Sequence, residues 1–190
     1  NKMILYKILR PIVYLIFKIV YKPVIINKEN ISKEGRCILA GTHTNNLDFI
    51  TVGMGTKRPV RYVAKDELMK GIKKYFFKAV GIIPVNRRIH DKSVIPTCVN
   101  ILNKEQLVGI FPEGTINRTK DIIMPFKKGA VVMSIRAKSK IVPFAINGNY
   151  KRGKLKIIYG KAYYPQTEDI EKETKVLEDK VIDLIKKVSD

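Results

Sequence analysis

Apolar residues along this chain fall into short runs with two different periods. Six runs are dense and mostly aliphatic: residues 37–40, 60–63, 82–85, 107–111, 141–146 and 155–159. Runs of that length and density read as strands buried on both faces. Between them, apolar positions recur at three- and four-residue spacing, predicting helices over 48–54, 66–80, 92–103 and 129–138. In the tail, 168–188, Val176, Leu177, Val181, Leu184, Ile185 and Val188 share one helical face, which makes an amphipathic closing helix. Strands alternating with helices predict an α/β domain with a largely parallel central sheet flanked by helices. In such sheets, ligands gather beyond the carboxyl ends of the strands.

The first stretch follows a different rule. Residues 3–20 are mostly apolar, but Lys7, Arg10, Pro11 and Lys18 interrupt them. The longest uncharged run, 11–17, is far short of the roughly 20 residues that span a bilayer. Ile4, Ile8, Ile12, Leu15, Ile16 and Ile19 recur at helical spacing, and Tyr6, Tyr14, Phe17 and Tyr21 add interfacial aromatics. Two placements fit such a helix: on the domain's own core, or in the plane of a membrane surface with its lysines snorkelling. We take the second, which divides the chain into an amphipathic membrane anchor over 1–24 and an α/β domain over 25–190. The expected location is peripheral, on the cytoplasmic face of the cell membrane.

Charge narrows the partners. The chain has 190 residues, with 37 Lys and Arg against 17 Asp and Glu, a net charge of +20. A field of that sign favours anionic lipid surfaces, phosphorylated small molecules or nucleic acid. No nucleic-acid-binding motif accompanies the charge, so nucleic acid is not the expected partner. Cys37 and Cys98 are the only cysteines, and no His, Cys and carboxylate cluster has metal-site spacing. No metal or redox cofactor is implied.

The candidate chemistry lies at the ends of the predicted strands. After the first comes Gly41-Thr42-His43-Thr44-Asn45-Asn46-Leu47-Asp48. An aspartate that holds one ring proton of a histidine leaves the other nitrogen free as a general base. Alone, the pair also fits a loop histidine and an ordinary first-turn aspartate. If Asn45 or Asn46 caps the following helix, His43 is expected to face free backbone N–H groups. Lys65 closes the second strand, and Arg87 and Arg88 follow the third, where adjacent guanidiniums suit a phosphate. The fourth runs into Phe111-Pro112-Glu113-Gly114-Thr115, with Glu113 expected to point inward and Arg118, Lys120, Lys127 and Lys128 making that edge cationic. No Gly-x-Ser-x-Gly elbow or Walker loop is present, and Gly53-Met54-Gly55 lacks the third glycine of a dinucleotide fingerprint. A base without an enzyme nucleophile suits direct attack by an acceptor's hydroxyl.

These residues resemble the glycerolipid acyltransferases, and most of all the bacterial 1-acylglycerol-3-phosphate acyltransferases. Four blocks occur in the family's order: His43-Thr44-Asn45-Asn46-Leu47-Asp48 (HxxxxD), Gly81-Ile82-Ile83-Pro84-Val85-Asn86-Arg87, Phe111-Pro112-Glu113-Gly114-Thr115 and Ile141-Val142-Pro143. The resemblance implies His43 as base and Asp48 as its orienter. It implies Lys65, Arg87 and Arg118 around the acceptor phosphate, with Glu113, Gly114 and Thr115 at the acceptor pocket. The chain departs from the family in having Ile116-Asn117-Arg118 after the third block, where arginine and serine are frequent, and Thr42 where asparagine is frequent.

The reaction so implied moves a fatty acyl group from acyl-CoA or acyl-carrier protein, as co-substrate, to the sn-2 hydroxyl of lysophosphatidic acid. Its product is phosphatidic acid. Glycerol-3-phosphate or another lysophospholipid as acceptor is the alternative within the family. Outside it stands a non-catalytic basic module for a membrane or nucleic acid.

Overall fold

The dense apolar runs form one sheet. The computed structural model describes residues 2–65, 82–85 and 93–189. Its strands are Val24–Ile26 (β1), Cys37–Gly41 (β2), Val60–Lys65 (β3), Ile83–Val85 (β4), Leu107–Ile110 (β5), Lys140–Ile146 (β6) and Lys156–Tyr159 (β7). Its helices are Lys2–Tyr21 (α1), Asp48–Gly53 (α2), Val94–Asn103 (α3), Gly129–Ala137 (α4) and Ile170–Ser189 (α5). The helix expected over 66–80, and Arg87, Arg88 and His90, lie outside the described residues.

The sheet order is β1-β7-β6-β2-β5-β3-β4. Strands β6, β2, β5, β3 and β4 run parallel, so the residues after each emerge at one edge. β7 pairs antiparallel to β6, and β1 lies parallel to β7. The nine residues between β6 and β7 explain that reversal, since a parallel return needs a crossover of about a dozen or more. β1 was not expected from the pattern: three residues after Lys22-Pro23 are too few to show a period, and pairing with β7 is what makes them a strand.

Alternation along β2 sets the layers. Cys37 and Leu39 join Phe17 of α1 and Val52 of α2 on one face. Ile38 and Ala40 meet Cys98 and Leu102 of α3, Ala130 and Val131 of α4, and Leu177 and Val181 of α5 on the other. Every residue of β2 is buried. Burial pushes the pKa of both thiols up to about 12, so Cys37 and Cys98 stay protonated and inert. Gly53 and Gly55, the incomplete dinucleotide fingerprint, have a packing role instead. A Cβ on Gly53 would lie 2.0 Å from the Tyr14 hydroxyl, and one on Gly55 would lie 2.5 Å from the Tyr159 ring.

Both placements weighed for the first segment have a counterpart in α1. Phe17 is buried against the core, and the Arg10 guanidinium donates to the carbonyls of Gly53, Thr56 and Lys57. Ile12, Leu15, Ile16, Ile19 and Val20 face outward, 46–59% exposed. Docking through one side therefore leaves an apolar stripe on the other. Among the described residues, no helix is long and apolar enough to cross a membrane.

Candidate active site

β2 ends at Gly41, and the chain then turns sharply through His43 into α2. Thr42, still buried, accepts the Ile146 N–H on its hydroxyl at 3.0 Å and so ties the end of β2 to β6. His43 Nδ1 lies 2.9 Å from Asp48 Oδ2, the spacing expected of the HxxxxD motif. Asp48 opens α2 and is fully buried, while the His43 side chain is 19% exposed. A carboxylate there must be matched by donors, because an unpaired buried charge is costly. Oδ2 also accepts the Thr44 N–H at 2.6 Å and the Asn45 N–H at 2.8 Å. Oδ1 accepts the Thr44 hydroxyl at 3.1 Å and the Tyr150 hydroxyl at 2.5 Å.

This wiring assigns the histidine's tautomer. Asp48 is an acceptor, so the ring proton sits on Nδ1 and the Nε2 lone pair is left as a base. Nε2 has no hydrogen-bond partner among the described residues. The ring stacks on Phe111, with centroids 4.2 Å apart and planes at 18°, and Phe111 in turn lies parallel to Tyr62. One face of the imidazole is therefore covered by apolar surface.

The expected collar of free N–H groups around His43 does not form from Thr44, Asn45, Leu47 or Asp48, whose N–H groups are all taken. Asp48 takes the N–H groups of Thr44 and Asn45, the Asn45 side chain takes that of Leu47 at 3.0 Å, and the Asn45 carbonyl takes that of Asp48 at 3.1 Å. Leu47, not an asparagine, is the residue before the helix. The carboxylate takes the two N–H groups ahead of the turn, and the Asn45 side chain takes one within it.

Glu113 points inward as expected, and its partners are main chain. It is 4% exposed; Oε1 accepts the His43 N–H at 2.9 Å and Oε2 the Met124 N–H at 2.9 Å. Burial raises its pKa above the usual carboxylate value, while these two N–H bonds oppose the shift. Gly114 completes the turn at φ 77°, with its N–H on the Phe111 carbonyl at 2.9 Å. That left-handed geometry is one glycine adopts without strain. A Cβ there would also lie 2.8 Å from the Lys127 side chain. The Asn117 N–H then reaches the His43 carbonyl at 2.8 Å, which binds the loop after β5 to both sides of the His43 main chain.

Other expected site residues are less constrained. Thr115 and Arg118 are exposed on this loop, and Arg118 has no ion pair or hydrogen bond among the described residues. Lys65 ends β3 at the same sheet edge, with its side chain outside the description, and Arg87 lies outside the described residues.

The sequence reading missed Tyr150, which reaches Asp48 from the turn between β6 and β7. Its hydroxyl lies 3.1 Å from Thr51 Oγ1 as well. Asn147-Gly148-Asn149 marks that turn in sequence, but nothing local connects it to an aspartate 102 residues earlier.

Comparison with known proteins bears on this geometry. The Acyltransferase family model matches residues 22–147, a span holding both members of the pair and all the expected binding residues. The chain is 33% identical over 181 residues to the 1-acyl-sn-glycerol-3-phosphate acyltransferase of Bacillus subtilis, covering 86% of this chain and 88% of that protein. It is 29% identical over 128 residues to the protein of the same name from Borreliella burgdorferi, covering 66% of this chain and 51% of that one. The crystal structure of the LPA acyltransferase PlsC from Thermotoga maritima has the same fold, with a TM-score of 0.73 over 94% of this chain and 81% of that one, at 18% identity. The chain belongs to the acyltransferase family.

Proposed function

We propose that this chain is a 1-acyl-sn-glycerol-3-phosphate acyltransferase, making phosphatidic acid from lysophosphatidic acid for phospholipid biosynthesis. The observation that carries the reading is the 2.9 Å contact between His43 Nδ1 and Asp48 Oδ2, with Nε2 unpartnered among the described residues. The names of the relatives in Bacillus and Borreliella support the same acceptor.

In this reaction Nε2 of His43 removes the proton of the sn-2 hydroxyl as its oxygen attacks the thioester carbonyl of acyl-CoA or acyl-carrier protein. A C–O bond forms and the C–S bond breaks. The imidazolium returns its proton to the departing thiolate, so histidine ends neutral. Asp48 holds Nδ1–H throughout and stabilises the transient positive charge. Lys65, Arg87 and Arg118 would bind the acceptor phosphate, Arg118 from a loop that Asn117 holds against His43. Gly114 and Thr115 would line the acceptor side, with Glu113 acting there through the backbone it fixes. Neither a metal nor a redox cofactor enters this step.

The enzyme would work at the cytoplasmic face of the cell membrane as a peripheral protein, residues 1–24 serving as anchor and 25–190 as the catalytic domain. The outward apolar stripe of α1 and the net charge of +20 support adhesion to an anionic surface. The test is an acceptor series with palmitoyl-CoA or acyl-carrier protein as donor, reading products by mass spectrometry. Phosphatidic acid formed from lysophosphatidic acid, with weaker turnover of glycerol-3-phosphate, supports the assignment. Lysophosphatidic acid left unacylated with both donors contradicts it.

A further inference from the structure

We propose that Tyr150 is a positioning residue for the His43–Asp48 pair, holding the carboxylate in the one rotamer that keeps Oδ2 on the imidazole. The proposal rests on the acyltransferase reading for its kinetic consequence, and on geometry alone for its structural one.

Asp48 must share its four lone-pair directions among five donors. Four of those donors come from His43, Thr44 and Asn45, residues of the same turn, so they move with the turn. Tyr150 is different, because it comes from the far side of the sheet edge, between β6 and β7. A hydroxyl placed 2.5 Å from Oδ1 fixes the second oxygen and thereby the twist of the carboxyl plane. Without it, Oδ1 keeps only the Thr44 hydroxyl, at the longer distance of 3.1 Å.

The phenol suits this task. Burial, and then the Asp48 charge, push its pKa above that of an ordinary tyrosine, so the O–H remains a donor at physiological pH. Its one proton serves Asp48, which makes the Thr51 hydroxyl the donor in their 3.1 Å contact.

The ring is fixed as well. Phe17 and Tyr21 of α1 meet it edge-on, with centroids at 6.5 Å and 5.7 Å. The Gly153 N–H bonds the Tyr21 carbonyl at 2.7 Å, and Arg152 Nη1 bonds the Ile19 carbonyl at 2.7 Å, clipping the turn to the end of α1. Within the turn, the Asn147 side chain bonds the main chain of Asn149, Lys154 and Lys156. The seat of the N-terminal helix is thereby connected to the carboxylate of the pair by one side chain. Among the described residues, the titratable groups facing the pair are Glu113 from the loop after β5 and Tyr150 from this turn, with Tyr21 of α1 behind the phenol.

The test is Tyr150→Phe, which keeps the ring and its packing and removes only the hydroxyl. We expect kcat to fall by about tenfold, the effect of one hydrogen bond to a charged group, while KM for lysophosphatidic acid stays unchanged. A carboxylate that turns away from Nδ1 stabilises the imidazolium less. Relative to wild type, the His43 ring should then titrate at lower pH by NMR, its signal being assigned by its loss in His43→Ala, and the acid limb of the kcat profile should move the same way. Wild-type kcat together with an unmoved titration overturns the proposal. So does a variant with lowered melting temperature and an unmoved titration, since that is the behaviour of a packing residue. If the wild type transfers no acyl group, the functional reading fails and the NMR titration still decides the positioning role.

Discussion

Glu113 and His43 are joined through the backbone: the buried carboxylate of one accepts the main-chain N–H of the other at 2.9 Å. With Met124 on its second oxygen, Glu113 links the loop after β5 to the residue that carries the base. Its pKa is raised by burial, which fixes the sign of a pH effect on stability. Between the ordinary value of 4.5 and the higher folded value, the native state binds more protons than the unfolded state. This group's contribution is therefore fully present below about pH 4.5 and is lost as pH rises through the folded value. Glu113→Gln should flatten that part of the stability profile. It should also cost about 1–3 kcal/mol, because the new amide presents an N–H to one of two backbone N–H groups. Denaturant melts across pH 4–8 measure both, and parallel profiles for the two proteins would refute the titration.

Gly41 precedes the pair and has no room for a side chain. A Cβ there would lie 2.0 Å from the Phe144 carbonyl oxygen, a backbone atom of β6 that cannot rotate away. Gly41→Ala should destabilise the domain by about 3 kcal/mol or more, as overpacking that moves a central strand does. A melting temperature within a degree or two of wild type would contradict the close packing of β2 on β6.

The exposed stripe of α1 makes a separable prediction. Leu15→Lys with Ile19→Lys changes two outward positions and leaves Phe17 and Arg10 in place. Binding to vesicles of phosphatidylglycerol and phosphatidylcholine, read by sedimentation, should weaken by at least tenfold, since burying one such side chain contributes about 1.5–3 kcal/mol. The melting temperature should be unchanged. Equal sedimentation of both proteins would show that α1 does not face the lipid.

Arg118 offers a test of the acceptor site. It is an exposed cation, and removing it breaks no ion pair or hydrogen bond among the described residues. Arg118→Ala should raise KM for lysophosphatidic acid about tenfold, the effect of one charge-assisted bond to phosphate, with kcat little changed. An unaltered acceptor dependence removes Arg118 from the phosphate site.

Much of this was legible in the residues because the physics involved is local. The dense apolar run of β2, helical spacing in α5 and the short interval from His43 to Asp48 are each set by neighbours in sequence. What could not be read depends on distant partners. Tyr150 reaches Asp48 across 102 positions, and β1 exists because β7 lies beside it. Glu113 lies between these cases: its strand-end position showed that it pointed inward, but only the fold shows that it meets the main chain. Propensity puts the cap at Asn45 or Asn46; Asn45 does accept the Leu47 N–H, but the helix begins only at Asp48, with Leu47 before it.

The most direct measurement is thiol release from palmitoyl-CoA with lysophosphatidic acid in detergent micelles, comparing wild type with His43→Ala. Removing a general base lowers such a rate by about 10²–10⁴-fold. We expect acceptor-dependent release in the wild type and a loss of that size in the variant, at an unchanged melting temperature. Release by His43→Ala near the wild-type rate would contradict the assignment of His43 as the base.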